Sequence, residues 1–198
     1  MINCHQMASH PITKITEEEY LALDRAAEVR SEYFNGEMFA MSGGSMRHAQ
    51  LQGNIFGELY NALRGGACRA YGSDFRVRVS PGRMYTYPDV TVVCGKPLLA
   101  DERQDVLLNP VVIFEVLSPS TEQYDRGLKL QYYRRIESLS DYILVDQNQI
   151  HIEQYTRGDA GVWTLRDYQN LEEELRIPSI GVALALGRIY DRVELPAS

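Results

Sequence analysis

Residues 111–117 read Val-Val-Ile-Phe-Glu-Val-Leu, an apolar run that is interrupted by a single carboxylate, Glu115. Apolar side chains at successive positions, rather than at alternate ones, predict a strand that is covered on both faces. A charge buried there without a partner is unfavourable by several kcal/mol, so Glu115 requires a cation or a hydrogen-bonding partner. An ion pair with an arginine or a bound divalent metal would meet that requirement.

The segments on either side of this run predict an α/β protein. Thr16 and Glu19 form a capping-box pair that begins a helix, and Asn35-Gly36 between apolar flanks predicts a hairpin. Periodicity predicts further helices at 48–64 and 124–135, and strands at 75–79, 87–93, 142–145, 150–155, 163–168 and 180–186. The expected fold is a mixed central β-sheet flanked by helices, with an N-terminal helix and hairpin. We expect one domain over residues 12–194, with tails at 1–11 and 195–198.

The composition of the chain is that of an ordinary globular protein. Its 198 residues correspond to about one domain. The 27 acidic residues exceed the 20 Lys and Arg residues, and the net charge of −7 argues against coating nucleic acid or an anionic membrane by bulk charge. The longest apolar stretch, 106–117, is broken by polar residues and is shorter than the roughly 20 residues of a membrane span.

The cysteines and the first residues indicate the expected compartment. Cys4, Cys68 and Cys94 are odd in number and widely spaced, so we expect reduced thiols rather than a disulfide framework or a zinc site. The first residues lack a basic segment followed by an apolar one, which is the pattern of a secretory signal. These features favour a cytoplasmic protein without a membrane partner.

A second carboxylate, Asp89, follows Pro88 at the predicted start of a strand. The functional interpretation is that Asp89 and Glu115 converge on one divalent cation. Two carboxylates and water form a hard oxygen site, which suits Mg²⁺ or Mn²⁺ rather than Zn²⁺. His5, His10 and His151 are interpreted as structural or incidental.

A lysine on the helix that follows the Glu115 strand could complete this site. Lys129 lies four residues after Asp125 and four before Tyr133, so the three share one helix face. One interpretation is a solvated ion pair between Lys129 and Asp125. The other is that Lys129 projects over the end of the Glu115 strand, where a lysine would orient water and stabilise negative charge during phosphodiester hydrolysis.

These residues resemble a known family. The resemblance covers about residues 20–155. The motifs that carry it are Pro88-Asp89, the string Phe114-Glu-Val-Leu-Ser-Pro-Ser-Thr121, Asp125, Lys129, Tyr133 and Tyr142-Ile-Leu-Val-Asp146. Asn35-Gly-Glu37 and the Ser-Gly-Gly-Ser loop before His48 also match. They are similar to the Uma-type restriction endonucleases, of the PD-(D/E)xK nuclease superfamily. The resemblance implies a restriction endonuclease-like core, a divalent metal (Mg²⁺ or Mn²⁺), DNA as the substrate and a possible homodimer.

The sequence departs from the superfamily pattern at one position. The superfamily places a lysine two residues after the glutamate, and Leu117 stands there in this chain. The family uses a lysine on the following helix instead, which maps onto Lys129. The resemblance therefore implies that Asp89, Glu115 and Lys129 are the catalytic residues, with Asp89 and Glu115 as the metal ligands.

Four further residues are candidates for supporting roles. Glu37 could add a carboxylate, although a glutamate beside an Asn-Gly turn is often solvated. His48 follows a Gly-Ser loop at the start of a helix, where backbone N–H groups can bind phosphate, or else it serves as a helix cap. Arg76 and Arg78 share one strand face and could contact DNA phosphates. Alternatively, these arginines pair with the acidic first helix.

Two other functions compete with a nuclease. The first is a catalytically inactive member of the fold that binds DNA or acts as a scaffold, and divalent-metal binding would separate it from the enzyme. The second is a glycosidase that uses paired carboxylates as acid and base without a metal. The aromatic platforms that a sugar needs are not evident in the scattered tyrosines, so the glycosidase ranks last.

Overall fold

The computed structural model describes residues 14–41 and 43–196. Its helices are α1 (Glu17–Ala26), α2 (Met46–Ala62), α3 (Glu122–Tyr124), α4 (Leu130–Tyr133) and α5 (Leu186–Ile189), with a π-helical turn at Asp125–Lys129 and 3₁₀ turns at Asp159–Gly161 and Pro178–Ile180. Its strands are β1 (Ser31–Phe34), β2 (Glu37–Ala40), β3 (Cys68–Gly72), β4 (Arg76–Ser80), β5 (Met84–Thr86), β6 (Val90–Cys94), β7 (Val106–Leu107), β8 (Val112–Leu117), β9 (Asp141–Asp146), β10 (Ile152–Arg157), β11 (Trp163–Tyr168), β12 (Glu174–Ile177) and β13 (Val182–Ala185). The predicted tail 1–11, with Cys4, His5 and His10, lies outside the described residues.

The strands form two larger sheets rather than the one central sheet that the sequence predicted. The six-stranded sheet has the order β11-β10-β9-β8-β6-β3, and β8 and β9 run parallel in it while the other neighbours are antiparallel. The five-stranded sheet has the order β2-β1-β5-β4-β7. A short β12-β13 ribbon is separate. The predicted mixed α/β class is confirmed, because both larger sheets combine parallel and antiparallel pairs and helices flank them.

Strand β8 lies in the centre of the larger sheet and is buried along its whole length, as its sequence predicted. On one face Phe114 and Val116 belong to a core with the apolar side of α2. On the other face Ile113 and Leu117 belong to a second core that includes Tyr133 and residues of the smaller sheet. Because side chains alternate along a strand, Glu115 shares the second face.

The N-terminal elements have the predicted local structure. Thr16 and Glu19 form both hydrogen bonds of a capping box at the start of α1. Asn35 and Gly36 have φ values of 49° and 92° and connect β1 to β2. Such left-handed conformations at both central residues give the turn whose twist matches a two-residue hairpin.

Strand directions bring the two predicted metal ligands to the same end of the larger sheet. Asp89 comes immediately before β6, and Glu115 lies near the end of β8. The two strands are antiparallel, with Val90 opposite Phe114, so the start of β6 adjoins the end of β8. The chain then turns through 118–121 and returns over the sheet as the helical segment 122–133.

A buried ion pair connects α1 to the smaller sheet, and it corrects the DNA-contact role predicted for Arg76. The Arg76 guanidinium contacts the Asp24 carboxylate and lies 3.3 Å from Asp105, and only 3% of Arg76 is exposed. Asp24 also accepts hydrogen bonds from the Ser31 backbone (2.6 Å) and the Tyr87 hydroxyl. Arg76 is therefore unavailable to DNA, because the alternative of pairing with the acidic first helix is what the fold uses.

The structure also corrects the expectation of reduced cysteines. Strands β3 and β6 pair so that Cys68 lies directly opposite Cys94, and the two form a disulfide. Their separation of 26 residues in sequence hid this proximity, because only the pairing of β3 with β6 brings them together. In the described part of the chain, no helix is long and apolar enough to cross a membrane.

We expect the disulfide to be detectable by thiol titration. In denaturant without reductant, one of the three cysteines should react with a thiol reagent, and all three should react after reduction. Closing a 26-residue loop stabilises the native state by about 3 kcal/mol, so reduction should lower the free energy of unfolding by about that amount. Three reactive thiols before reduction would contradict the pairing.

We expect Arg76→Met to destabilise the protein by about 3–5 kcal/mol, because it leaves Asp24 as a buried unpaired charge. The double variant Asp24→Asn/Arg76→Met should recover part of the loss, because both charges are then absent. Chemical denaturation of both variants measures this coupling, and Arg83→Met, at an exposed turn, is the control. A loss below 1 kcal/mol for Arg76→Met, which is the range of exposed ion pairs, would contradict the role given to it.

Candidate active site

The structure brings Glu115 and Lys129 into direct contact. Lys129 Nζ lies 3.0 Å from Glu115 Oε1, and both side chains are 6% exposed. The Tyr133 hydroxyl donates a second hydrogen bond to the same oxygen at 2.9 Å. Tyr133 is in turn hydrogen-bonded to the Thr86 hydroxyl at 2.8 Å, which ties the cluster to the smaller sheet. This contact fits the interpretation in which the Lys129 side chain projects over the Glu115 strand, rather than the one in which it remains in solvent.

Lys129 contacts two further carboxylates. Its Nζ atom lies 3.1 Å from Glu32 Oε1 on β1 and 3.2 Å from Asp125 Oδ1. Asp125 is buried, and the Tyr142 hydroxyl donates a hydrogen bond to its backbone carbonyl at 3.2 Å. Lys129 is therefore held among three acids from β1, β8 and its own helical segment.

The local helix geometry contributes to the position of Lys129. Residues Asp125–Lys129 form a π-helical turn, and the Leu130 N–H donates to the Asp125 carbonyl five residues earlier. A π-turn inside an α-helix is rare and is frequent at functional sites. The sequence does not signal this turn, which the periodicity predicted as ordinary helix.

Asp89 lies immediately before the neighbouring strand β6, beside the end of β8 that carries Glu115. Its Oδ2 atom accepts a hydrogen bond of 2.7 Å from the backbone N–H of Val116 and lies 3.3 Å from His48 Nε2. The Gln52 side chain donates to the Asp89 carbonyl at 3.1 Å. His48 is in the first turn of α2, whose N-cap is Ser45. The predicted accessory histidine thus reaches the site through its side chain.

Negative charge exceeds positive charge in this cluster, whose ionisable groups are Glu32, Asp89, Glu115, Asp125, His48 and Lys129. Burial raises the pKa of Glu115 well above its usual range, and Lys129 only partly opposes this effect. Burial disfavours the charge on Lys129, but the surrounding carboxylates outweigh it and raise the Lys129 pKa. Burial also disfavours the charge on His48, and Asp89 outweighs it, so the His48 pKa is raised.

The oxygen atoms at the site fit a hard divalent cation. Asp89 uses Oδ2 and Glu115 uses Oε1 in the contacts above, and within the described part of the chain neither second carboxylate oxygen has a hydrogen-bond partner. Both residues line a cleft of about 770 Å³. The Tyr124 hydroxyl is buried beside this cluster and is likewise without a partner among the described residues. Excess carboxylate oxygens and an unsatisfied hydroxyl are what a cation with bound water could satisfy.

Three residues predicted for supporting roles do not line this cleft. Glu37 is at the turn end of the β1-β2 hairpin, and the carboxylate that reaches the cluster from this hairpin is Glu32. Arg76 is buried in its ion pair with Asp24. Arg78 lies opposite Tyr85 in the β4-β5 ladder of the smaller sheet.

Sequence reasoning missed Glu32 and Tyr124. Glu32 alternates with Ser31 and Tyr33, which face the interior, so an acid at that position resembles an ordinary solvent-facing strand residue. Its contact with Lys129 joins residues that are far apart in the chain. Tyr124 was predicted only as the first residue of a helix. Neither position carries a local signal that distinguishes it from a surface residue.

A second polar cluster lies two strands away from Glu115. His151 Nε2 is 2.9 Å from Asp167, and His151, Glu153 and Asp167 are close enough together to hold a metal ion. Glu153, however, already contacts the Arg126 guanidinium and accepts a hydrogen bond of 2.9 Å from Tyr155. Glu153 is thus already engaged by two neighbours, and the interpretation of His151 as structural or incidental stays a prediction.

Known proteins resemble this chain in sequence and fold. Residues 17–187 match the family model Uma2, described as "Putative restriction endonuclease". Two uncharacterized proteins of Synechocystis sp. (strain ATCC 27184 / PCC 6803 / Kazusa) are similar: slr1290 is 36% identical over 183 residues, 92% of this chain and 94% of that protein. The other, sll1609, is 32% identical over 164 residues, 82% of this chain and 93% of that protein.

A solved structure shares the fold. It is a putative nuclease belonging to DUF820 from Anabaena variabilis ATCC 29413, with a TM-score of 0.73 and 18% identity. The match covers 89% of this chain and 97% of that chain. The restriction endonuclease-like fold expected from the sequence is thereby confirmed.

Proposed function

Because the chain belongs to the Uma2 family of putative restriction endonucleases, we propose that it is a divalent-metal-dependent endonuclease that hydrolyses DNA phosphodiester bonds. The observation that carries this proposal is the meeting of Asp89, Glu115 and Lys129 in one cleft. Two carboxylates, each with one oxygen that has no partner among the described residues, lie next to a buried ammonium group, and such groups suit metal-assisted phosphodiester hydrolysis.

Asp89 and Glu115 are the proposed ligands of Mg²⁺ or Mn²⁺. Hydrogen bonds hold both carboxylates in place, because Asp89 accepts one from the Val116 N–H and Glu115 accepts one from the Tyr133 hydroxyl. These hydrogen bonds leave one oxygen of each carboxylate without a partner among the described residues. A bound metal supplies Lewis-acid stabilisation of the negative charge that develops on the phosphoryl group.

Lys129 is proposed to orient the attacking water and to hold the scissile phosphate. Its three carboxylate neighbours keep the amine protonated and fix it beside Glu115. Leu117, which occupies the lysine position of the superfamily pattern, is 3% exposed and belongs to the apolar core. A lysine that comes from the helix leaves this core position apolar. His48 is proposed to hold Asp89 in place.

A catalytically inactive DNA-binding or scaffold protein is the second candidate, and one observation favours it. Both proposed ligands already have nitrogen partners within the protein, since Lys129 pairs with Glu115 and His48 contacts Asp89. An ion-paired cluster of this kind could be purely structural.

The single-domain organisation, the homodimer and the cytoplasmic location stay predictions of the sequence.

Metal titration separates the two candidates. We expect Mn²⁺ to bind the wild-type protein in calorimetry, and the double variant Asp89→Asn/Glu115→Gln to bind it at least about tenfold more weakly, because both ligands lose their charge. Glu37→Gln, on the hairpin but outside the cleft, is the matched control and should bind as the wild type does. Equal Mn²⁺ affinity in the double variant would reject the assigned ligands, and no binding by the wild type would favour the scaffold.

Removing the lysine should separate catalysis from metal binding. We expect Lys129→Met to reduce Mn²⁺-dependent DNA cleavage by about 100-fold to 1,000-fold, because the charge that stabilises the phosphoryl group is lost. Calorimetry on the same variant should still detect Mn²⁺ binding. Circular dichroism verifies the fold, and Arg135→Met, at an exposed turn position just after the same helical segment, is the control. Undiminished cleavage by Lys129→Met would exclude the lysine from catalysis.

A further inference from the structure

The cleft above the acidic cluster has an apolar wall that the proposed chemistry does not use. On one side the β1-β2 hairpin contributes Phe34, Phe39 and Met41, and on the other the helical segment contributes Tyr124 and Leu128. Between these sides lie Asp89, Glu115 and Lys129. These three charged residues are buried, whereas the apolar residues on either side are partly or largely exposed.

Phe39 is the most exposed aromatic side chain of this wall. It lies directly opposite Glu32 in the hairpin, and Glu32 contacts Lys129, so the ring stands next to the charged cluster. Phe39 is 49% exposed and makes no ring contact with another aromatic residue among those described, whereas Phe34 packs edge-on against Tyr132 at 5.5 Å. An exposed aromatic face beside a phosphodiester site is a platform on which a nucleic-acid base can stack.

The positive charge available near the cleft is small. Arg76 is buried with Asp24, Arg126 pairs with Glu122 and Glu153, and neither lines the cleft. Arg47, in the first turn of α2, lines the cleft and has no ion-pair partner within the described residues. A protein that grips duplex DNA neutralises many phosphates, often six to ten. One arginine and one helix N-terminus can bind about one phosphate group in addition to the phosphate that is cleaved.

The size of the cleft agrees with a small occupant. A cavity of 770 Å³ falls in the range of about 300–1,000 Å³ that encloses small molecules. Bases in a duplex are paired and stacked inside the helix, so a base reaches an aromatic wall only when it is unpaired. We propose that the cleft binds an unpaired segment of DNA, with a base stacked on Phe39 and the adjoining phosphate near Arg47. This proposal rests on the nuclease function proposed above.

Binding measurements with the full-length protein test this proposal. A fluorescently labelled DNA strand of mixed sequence, alone or annealed to its complement, is titrated with the protein in a solution that contains Ca²⁺. Fluorescence anisotropy of the DNA reports binding. We expect the single strand to bind at least about tenfold more tightly than the duplex, and Phe39→Ala to weaken single-strand binding about tenfold, since one stacked base is lost. Phe39→Tyr should restore binding. Tyr60→Ala, which removes an exposed aromatic residue of α2 that does not line the cleft, should leave it unchanged.

The outcomes distinguish this inference from the nuclease function on which it rests. If Mn²⁺-dependent cleavage requires Asp89 but duplex binds as well as single strand, the nuclease stands and the unpaired substrate is rejected. Single-strand binding that Phe39→Ala leaves unaltered rejects the stacking platform in the same way. If neither DNA form is bound or cleaved, the nuclease function fails and the inference fails with it.

Discussion

The buried contact between Lys129 and Glu115 is the interaction on which the arrangement of this molecule depends. Glu115 lies in the central strand of the larger sheet, with apolar neighbours on both faces, and it could not remain there without a partner. The ammonium group of Lys129 supplies that partner only if helical segment 122–133 returns across the sheet. Tyr133, one turn further along, adds a hydrogen bond to the same oxygen. The carboxylate thus specifies where the helix must lie.

This contact is not an efficient way to stabilise a fold. Replacing a buried ion pair by apolar residues of similar volume is often neutral or stabilising. The cluster also holds more carboxylates than cations, which raises the pKa of Glu115 further above its usual range. Excess acids around one lysine are better explained by a site that binds a cation.

The sequence predicted those parts of the site that conflict with their local surroundings. Glu115 was evident because a charge interrupts an apolar strand, and Asp89 because it follows a proline at a strand start. The hairpin and the capping box were predicted because turn and cap chemistry are local. Glu32 and the Cys68–Cys94 pairing were missed because each depends on a contact between elements that are far apart in the chain. For Arg76 the sequence left open both a DNA contact and pairing with the first helix, because its partner Asp24 is 52 residues away in the chain.

The division into two sheets explains how an acidic chain could act on a polyanion. Glu115 belongs to the larger sheet and Asp89 immediately precedes one of its strands, while Glu32 and Phe39 belong to the hairpin of the smaller sheet, so the cleft lies where the two sheets meet. A net charge of −7 repels DNA at long range. Under the proposed function, attraction would come from short-range contacts, namely the proposed cation between the carboxylates and the aromatic wall that is proposed to contact a base. Both contacts act only inside the cleft. They would therefore favour a DNA strand that can enter the cleft over a DNA strand that lies across the protein surface.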